Sequence, residues 1–296
     1  GSFKMSEQSF VDFLNAFQVL HQNQQSFVVV TLTKVLGGAP QNIGSRMIAG
    51  PDGLIWGTIG GGKIEKFLLE KSKEFLATPY KSNLLSTDLT DSKIKSTIDN
   101  SVLSLEINLQ KDIGMTCGGQ VQVLLERFGL NQQWNIAVFG AGHVAQALHK
   151  VIRDFNAYIF AIEFRKEWLD KIEDSPRLKK ILVNQTNPPN MSEALSELPP
   201  QSFVVLLTMG HGTDFPILKS ALENYHFPYV GVMGSAIKSK KIQAELNSLG
   251  LTPDVLAAKK KHYFCPIGED LGNNSPAEIA ISIAAQLLKQ RKIVFG

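Results

Sequence analysis

Two glycine-rich turns in the first half of the chain have spacings that could serve a bound ligand. The first, GTIGGGKIE at residues 57–65, matches the G-x-x-x-x-G-K part of a phosphate-binding P-loop up to Lys63. A P-loop needs a serine or threonine after that lysine to place a hydroxyl on Mg²⁺, and this chain has Ile64 there. The turn is therefore not predicted to bind ATP, and its three consecutive glycines need another explanation.

The second turn, GMTCGG at residues 114–119, carries one of the two cysteines, Cys117. A structural cysteine usually lies on an apolar strand face, whereas this one is followed by two glycines, so we predict an accessible thiol. The other cysteine, Cys265, has apolar neighbours and is interpreted as structural. Two cysteines without C-x-x-C spacing predict no zinc site and are compatible with a reducing compartment.

A third glycine turn has the surroundings of a Rossmann fingerprint. The apolar run 136–139 ends in Gly140-Ala-Gly142, a helix is predicted next, and a second strand, 158–162, ends in Glu163. In this G-x-G-x-x-A form, the glycines and the helix N-terminus can take a phosphate, and the acid can accept hydrogen bonds from a ribose, another diol or an amine. The other interpretation is a tight strand-to-helix turn that binds nothing.

Two histidines, His143 and His211, each follow a glycine at the end of a predicted strand. His143 follows the second glycine of the fingerprint, where a dinucleotide oxidoreductase usually has a small or apolar residue, and we predict that it points toward a ligand. His211 follows a predicted strand at its carboxyl end, where open α/β sheets bind ligands. With Thr208 and Asp214 it forms either a binding site or a capped turn, since Asp214 can cap a helix that begins near Phe215.

The elements that position these residues predict an α/β protein with two domains. Residues 1–130 read as a mixed α/β domain, with a helix at 6–22, strands at 27–35, 45–49 and 54–59, a helix at 63–76, and strands at 102–109 and 120–128. Residues 134–296 read as a Rossmann-like, doubly wound parallel sheet, because further strands at 181–183, 203–208 and 229–233 alternate with helices. A capping box at Ser275 and Glu278 marks the start of a C-terminal helix.

Composition excludes several classes of function. The chain has 296 residues, and its 30 lysines and arginines against 27 acids give a net charge of +3. The lysine runs at 238–241 and 259–261 are interpreted as solvated surface. No nucleic-acid partner is therefore predicted. No apolar run reaches the roughly 18 residues of a membrane span, so no membrane role is predicted either. Residues 1–4, before Met5, read as an expression scar rather than a signal peptide, and we expect a cytoplasmic protein.

Several ordered motifs together resemble the XdhC/CoxI family of accessory proteins for xanthine dehydrogenase and related molybdenum hydroxylases. The resemblance runs from about residue 26 to the end of the chain, and its motifs are GTIGGGKIE, GMTCGGQVQVLLE, VFGAGHVAQALHKV, EFRKEW, LLTMGHGTD, YVGVMGSAIKSKK and CPIGEDLGNNSPAEIAISIAAQLL. It implies a family-specific N-terminal domain joined to a Rossmann domain. It also implies binding of molybdenum cofactor while a cysteine desulfurase replaces an oxo ligand with sulfido, delivery to the apo-hydroxylase, and a homodimer.

The residues and the resemblance together predict a set of cofactor-binding residues and no catalytic residue. Cys117 is in addition expected to contact the molybdenum, since a soft thiolate suits such a metal. This chain departs from the family in having Lys63 where some members have a cysteine, and Ala236 where a basic residue is frequent. The cofactor-binding set is Gly60, Gly61, Gly62, Cys117, Gly118, Gly119, Gly140, Gly142, His143, Glu163, Arg165 and His211.

Three functions stay open from the residues. The first is an accessory protein that carries molybdenum cofactor and is not a turnover enzyme. The second is an NAD(P)-dependent oxidoreductase, favoured by the G-x-G-x-x-A turn and Glu163 but without an evident proton donor. The third is a Rossmann-type adaptor that has lost its ligand. Binding of molybdenum cofactor, of NADH, or of neither separates them.

Overall fold

The computed structural model divides the chain into two compact units, Gly1–Gln132 and Gln133–Gly296. Cys117 lies outside the residues that the structure describes. Those residues are 7–38, 41–79, 94–99, 101–116, 118–130, 133–184 and 190–296.

In the described part of the N-terminal unit, a six-stranded antiparallel sheet is accompanied by two helices, and this confirms the predicted mixed α/β architecture. The strands follow the spatial order β3-β2-β1-β6-β5-β4. Their bounds are β1 Phe27–Leu36, β2 Arg46–Gly50, β3 Gly53–Gly57, β4 Lys95–Asp99, β5 Val102–Asn108 and β6 Gln120–Phe128, and the helices are α1 Glu7–Gln22 and α2 Gly62–Ala77. Strand β4 was not predicted from the sequence.

Alternating side chains of β1 build a core on each face of this sheet. Val28 belongs to a buried cluster that contains Leu68 of α2, whereas Phe27 belongs to a second cluster against which Phe17 of α1 packs. The period of two follows from strand geometry, which sends successive side chains to opposite faces. Each large apolar side chain buried in this way contributes about 1.5–3 kcal/mol, so both helices are held by packing.

The C-terminal unit is a five-stranded parallel sheet with helices between the strands, and this confirms the predicted doubly wound fold. The spatial order is β11-β10-β7-β8-β9. The strands are β7 Asn135–Phe139, β8 Tyr158–Glu163, β9 Leu178–Leu182, β10 Ser202–Leu206 and β11 Tyr229–Val232. The helices are α3 His143–Ile152, α4 Lys166–Leu169, a 3₁₀ segment Met191–Glu197, α5 His211–Asn224, α6 Ala236–Ser248, α7 Pro253–Ala258 and α8 Pro276–Phe295.

The last helix begins as its sequence predicts. The Ser275 hydroxyl accepts a hydrogen bond from the Glu278 N–H at 3.3 Å and lies 2.6 Å from Glu278 Oε2, and Pro276 occupies the first turn. Although α8 spans 20 residues, no helix in the described part of the chain has the length and apolar character needed to cross a membrane.

The edge strand β9 begins three residues earlier than predicted. Its sequence includes Lys179 and Lys180, and its first four side chains are only half-buried. An edge strand tolerates such polar residues because one of its sides has no neighbouring strand. Its apolar residues therefore indicate only the end of the strand.

The strand order determines where a ligand can bind in this unit. The chain proceeds from β7 outward to β8 and β9, and then returns to β10 on the other side of β7. Because all five strands are parallel, the carboxyl ends of β7 and β10 lie side by side at this reversal. In open α/β sheets that position is the usual ligand crevice.

Helix α3 buries a titratable side chain, His149, which is only 6% exposed. Burial, together with the charge of Lys180, lowers the pKa of His149 from 6.5 to about 4. The unfolded chain therefore binds more protons than the folded protein between these two values, and the free energy of unfolding falls as the pH is lowered through this window.

We expect this linkage to lower the free energy of unfolding by about 2 kcal/mol between neutral pH and about pH 5. Replacing His149 with glutamine should remove that part of the pH dependence, because glutamine does not titrate. Urea unfolding of both proteins at the two pH values measures the difference. Equal losses in the wild type and in His149→Gln would contradict the assignment to this side chain.

Candidate functional site

The glycine turn at residues 57–62 donates hydrogen bonds to the carboxylate of Glu65. Oε2 of Glu65 accepts hydrogen bonds from the Thr58 hydroxyl at 2.7 Å, from the Gly61 N–H at 2.9 Å and from the Ile59 N–H at 3.4 Å. A phosphate would occupy the corresponding position in a P-loop. The Ile59 and Gly61 N–H groups of this turn are therefore engaged by Glu65.

Lys63 connects the two glycine-rich turns of the N-terminal unit. Its Nζ donates a hydrogen bond to the Gly114 carbonyl at 2.9 Å. The second turn also approaches the chain after β1, because a β-carbon on Gly119 would lie 2.2 Å from the Gly38 carbonyl oxygen. Gly118 is exposed. The accessible thiol of Cys117 and its contact with molybdenum stay predictions.

In the C-terminal unit, the Gly140 turn lies against the residue that follows β10. A β-carbon on Gly140 would lie 2.1 Å from the Leu207 carbonyl oxygen, and the φ angle of Gly140 is +104°. Two residues later, Gly142 is the N-cap of α3, with no side-chain hydrogen bond to the cap. Apart from Gly142 and its two chain neighbours, no residue has a heavy atom within 4 Å of the β-carbon that Gly142 lacks. The start of α3 is therefore open to an approaching group.

The Glu163 carboxylate accepts hydrogen bonds from the backbone of the fingerprint turn. It is 1% exposed, and its carboxylate accepts hydrogen bonds from the Ala141 N–H at 2.8 Å and the Phe164 N–H at 2.9 Å. It also accepts from the Arg165 N–H at 3.2 Å and pairs with the Arg165 guanidinium at 2.7 Å. Both carboxylate oxygens are thus engaged by the protein, and direct contact between Glu163 and a ligand stays a prediction.

The EFRKEW motif packs against the start of α3. The Gln146 side chain donates hydrogen bonds to the carbonyls of Ala141 at 2.9 Å and Trp168 at 3.0 Å. The His143 ring lies edge-on to Trp168, with centroids 5.3 Å apart, and the Arg165 guanidinium lies 5.1 Å from the centre of the same ring. The structure therefore brings the predicted residues His143 and Arg165 together beside the turn.

His211 begins α5 at the carboxyl end of β10. Its Nε2 lies 2.8 Å from Glu245 Oε1, and its ring stacks on Phe215 with centroids 5.3 Å apart. Among the residues that the structure describes, none forms a hydrogen bond with the buried Nδ1 of His211. The helix has Gly210 as its N-cap, and no side chain caps it.

Asp214 closes the loop before α5 and does not act as its N-cap. The helix begins at His211, four residues before Phe215, where the sequence predicted its start. Asp214 is 1% exposed; its Oδ1 accepts a hydrogen bond from the Thr208 N–H at 3.1 Å, and its Oδ2 pairs with Lys238 Nζ at 2.8 Å. The same Nζ donates to the Met233 carbonyl at 2.7 Å, so this lysine joins the ends of β10 and β11.

Lys238 is a site residue that was not predicted from the sequence, because it was grouped with a solvated lysine run. The available signal was its position in the first turn of the helix that follows β11, after the N-cap Ser235. A basic side chain there lies at the same sheet edge as the other turns.

Cys265 lies half-buried beside this ion pair. The Ser239 hydroxyl donates to the Cys265 carbonyl at 2.7 Å. Burial raises the pKa of the Cys265 thiol, and the nearby charge of Asp214 acts in the same direction, whereas Lys238 and Ser239 oppose it. The described residues contain no group of three or more histidines, cysteines and acids that could hold a metal ion.

Two helices begin at the point where the strand order reverses. Helices α3 and α5 both begin there at a glycine N-cap that no side chain caps. The first N–H groups of a helix have no partner within it and carry a partial positive charge, so a phosphate or another anion is stabilised at such a terminus.

Comparison with known families matches both parts of the chain. A model described as the XdhC Rossmann domain matches residues 136–287. A model of the XdhC and CoxI family matches residues 20–86. The first match alone covers half of the chain.

Individual relatives are distant in sequence. The Escherichia coli (strain K12) protein YqeB is 24% identical over 270 residues, which cover 91% of this chain but 44% of that protein. A protein of Bacillus subtilis (strain 168), described as a probable subunit of xanthine dehydrogenase, is 20% identical, with 96% of this chain and 98% of the relative covered. The chain thus spans less than half of the first relative and nearly all of the second.

Two solved structures are similar over part or most of the chain. A crystal structure of a xanthine dehydrogenase from Bacillus halodurans has a TM-score of 0.41 at 17% identity, with 94% of this chain and 95% of that chain covered. The oxidoreductase ylbE from Lactococcus lactis has a TM-score of 0.31 at 12% identity, with 53% and 85% covered.

Proposed function

This chain belongs to the XdhC and CoxI family, and from that premise we propose that it is an accessory protein for a molybdenum hydroxylase of the xanthine dehydrogenase class. In this role it binds molybdenum cofactor, holds it while a cysteine desulfurase supplies sulfur, and inserts it into the apo-enzyme. We expect it to act as a homodimer in the cytoplasm. The Bacillus subtilis relative, described as part of a xanthine dehydrogenase, supports a partner of this class.

The observation that carries the proposal is the pair of uncapped helix starts at the carboxyl ends of β7 and β10. Molybdopterin has a terminal phosphate, and the N–H groups at the start of α3 and α5 are suited to an anion of this kind. The open space at Gly142 lets such a group come close to the backbone. The residues present therefore fit the anionic end of the cofactor.

The described residues have separate tasks in this proposal. Glu163 and Gln146 keep the fingerprint turn in place through their bonds to Ala141. Lys238 and Asp214 fix the loop before α5 in the same way. The bound cofactor supplies a molybdenum centre as cargo, and the protein supplies a preformed place for its phosphate.

The oxidoreductase alternative has less support from the geometry. A dinucleotide-binding domain uses the acid at the end of its second strand to hydrogen-bond the ribose hydroxyls. Here the corresponding Glu163 already accepts from three N–H groups and from the Arg165 guanidinium. A ribose would have to displace one of these donors, and we therefore expect weak or no binding of NADH.

Replacing Gly142 with alanine tests the site. Its φ of −71° suits any residue, and no atom lies within 4 Å of the added methyl, so we expect unchanged stability. The methyl would instead occupy space that the phosphate needs, and we expect binding of isolated molybdenum cofactor to weaken about tenfold or more. Equilibrium titration of both proteins with the cofactor measures this, together with urea unfolding as a check of the fold.

Two further titrations complete the experiment. NADH is titrated in parallel, and Cys117→Ala reports whether the thiol outside the described residues contributes to cofactor affinity. Binding of NADH without binding of molybdenum cofactor would overturn the accessory role in favour of the oxidoreductase. If Gly142→Ala did not weaken binding of the cofactor, the phosphate would not be bound at the start of α3.

A further inference from the structure

The Lys238 side chain connects helix α6 with the loops that follow β10 and β11. Its Nζ donates hydrogen bonds to Asp214 Oδ2 at 2.8 Å and to the Met233 carbonyl at 2.7 Å. An ammonium group has three N–H donors. Among the residues that the structure describes, no third hydrogen bond joins this Nζ to the protein. One N–H of Lys238 is therefore available to a ligand.

The path of the Lys238 side chain depends on a glycine. A β-carbon on Gly234 would lie 2.8 Å from Lys238 Cδ and 3.1 Å from Lys238 Cβ, and both distances are shorter than an ordinary contact between carbon atoms. The stem of the lysine therefore runs along the backbone just after β11, and its ammonium group lies where β10 and β11 end. The side chain is 20% exposed, so solvent and dissolved ions reach part of it.

The charge of Asp214, the partner of Lys238, is compensated by other groups as well. This side chain is 1% exposed, and its Oδ1 accepts hydrogen bonds from the N–H and the hydroxyl of Thr208. Asp214 also lies in the first turn of α5, where the positive end of the helix dipole stabilises an acid. Lys238 is thus one of several groups that balance this carboxylate, and Asp214 does not fully neutralise the lysine.

The ion pair places the Lys238 ammonium group beside the first turn of α5. This turn has Gly210 as its N-cap and no side chain that caps it, and it is one of the two helix starts at which an anion is proposed to bind. Lysine is a frequent phosphate-binding residue, because it adds a full positive charge to the partial charges of backbone N–H groups. The start of α5 and Lys238 together provide this combination.

We propose that Lys238 contacts the anionic group of the ligand directly through its third N–H and shares its charge between that group and Asp214. The proposal rests on the function proposed above and concerns which side chain of the same site meets the phosphate oxygens. It makes Lys238 a binding residue in addition to a residue that holds the two loops together. A ligand with phosphate oxygens at the start of α5 would use this contact whatever the rest of its structure.

Two variants test this assignment with inorganic phosphate as the probe, titrated at constant ionic strength and followed by nuclear magnetic resonance of the backbone amides at 208–213. The double variant Asp214→Asn with Lys238→Met removes both charges, so no unpaired charge stays buried. We expect it to bind phosphate about tenfold more weakly than the wild type. Asp214→Asn alone leaves Lys238 without its counter-charge, and we expect it to bind phosphate about threefold more tightly. A lysine that only held the loops would not produce this increase.

The double variant Asp174→Asn with Lys180→Met is the matched control. It removes another ion pair of the same chemistry, 3.0 Å apart, at the edge strand β9, and should leave phosphate affinity unchanged. Urea unfolding of each variant checks the fold. A measurement on the wild type needs no folded variant of the pair: the ε-methylene signal of Lys238, identified by its loss in Lys238→Arg, should shift saturably with phosphate.

The outcomes distinguish this assignment from the proposed function. Wild-type phosphate affinity in both folded Asp214 variants would overturn the assignment, and so would a Lys238 signal that phosphate does not shift. Titration with isolated molybdenum cofactor decides the accessory role separately. The expected phosphate pattern without cofactor binding would support Lys238 as an anion contact and overturn that role. Cofactor binding that weakens in Gly142→Ala but not in the double variant at 214 and 238 would support the role and overturn the contact with Lys238.

Discussion

Replacing Gly140 with alanine is expected to lower the free energy of unfolding by about 3–5 kcal/mol. The added β-carbon would lie 2.1 Å from the Leu207 carbonyl oxygen, and the φ angle of +104° is one that residues with a side chain rarely adopt. Neither strain can be relieved locally, because Gly140 N–H bonds to the Ile162 carbonyl and Leu207 N–H bonds to the Phe139 carbonyl, both at 2.8 Å. The backbone is thus held on both sides.

Gly142→Ala is the matched control for this prediction. It makes the same chemical change two residues away, at a φ of −71° and with no atom within 4 Å of the new methyl. Urea unfolding should therefore show a large loss for Gly140→Ala and none for Gly142→Ala. Similar stability of the two variants would mean that the ends of β7 and β10 are not packed as closely as described.

Glu163→Gln is expected to destabilise the protein by about 3 kcal/mol. The buried carboxylate accepts hydrogen bonds from the Ala141, Phe164 and Arg165 N–H groups and pairs with the Arg165 guanidinium. A glutamine has one acceptor oxygen and one NH₂ group, so a donor would face another donor and the guanidinium would lose its counter-charge. The fingerprint turn would lose the group that holds it.

Glu173→Gln provides the comparison, since Glu173 also pairs with an arginine, Arg153. Its side chain is exposed, so solvent replaces the lost interaction and we expect stability to be nearly unchanged. Thermal or urea unfolding of the two variants measures the contrast. If Glu163→Gln kept full stability and instead created or abolished ligand binding, Glu163 would be a ligand-binding residue rather than a structural one.

Much of the fold was predictable because its signals are local. The β-branched run of β1 and the capping box at Ser275 and Glu278 identify elements within a few residues. The edge strand β9 was placed three residues late, and β4 was not predicted. Their side chains do not follow a fully apolar pattern, and their pairing depends on a neighbouring strand.

The candidate site was predictable in part. The Gly140 turn, His143, Glu163 and Arg165 were identified from one fingerprint and one motif, and the structure brings them together at one sheet edge. The ion pair between Asp214 and Lys238 was not identified, although it joins two of the loops. Its two members are on different helices, and no spacing rule links residues that meet only through the strand order.

The sequence by itself determined most of the elements, the three glycine turns and the family, because φ preferences, side-chain alternation and motif order act over short stretches of chain. The tertiary structure alone decided what those turns face. It placed Leu207 against Gly140, filled the first turn with the Glu65 carboxylate, and engaged both oxygens of Glu163 within the protein. Such partners depend on which strands become neighbours and on how the loops close, and these distances are set by packing of the whole unit.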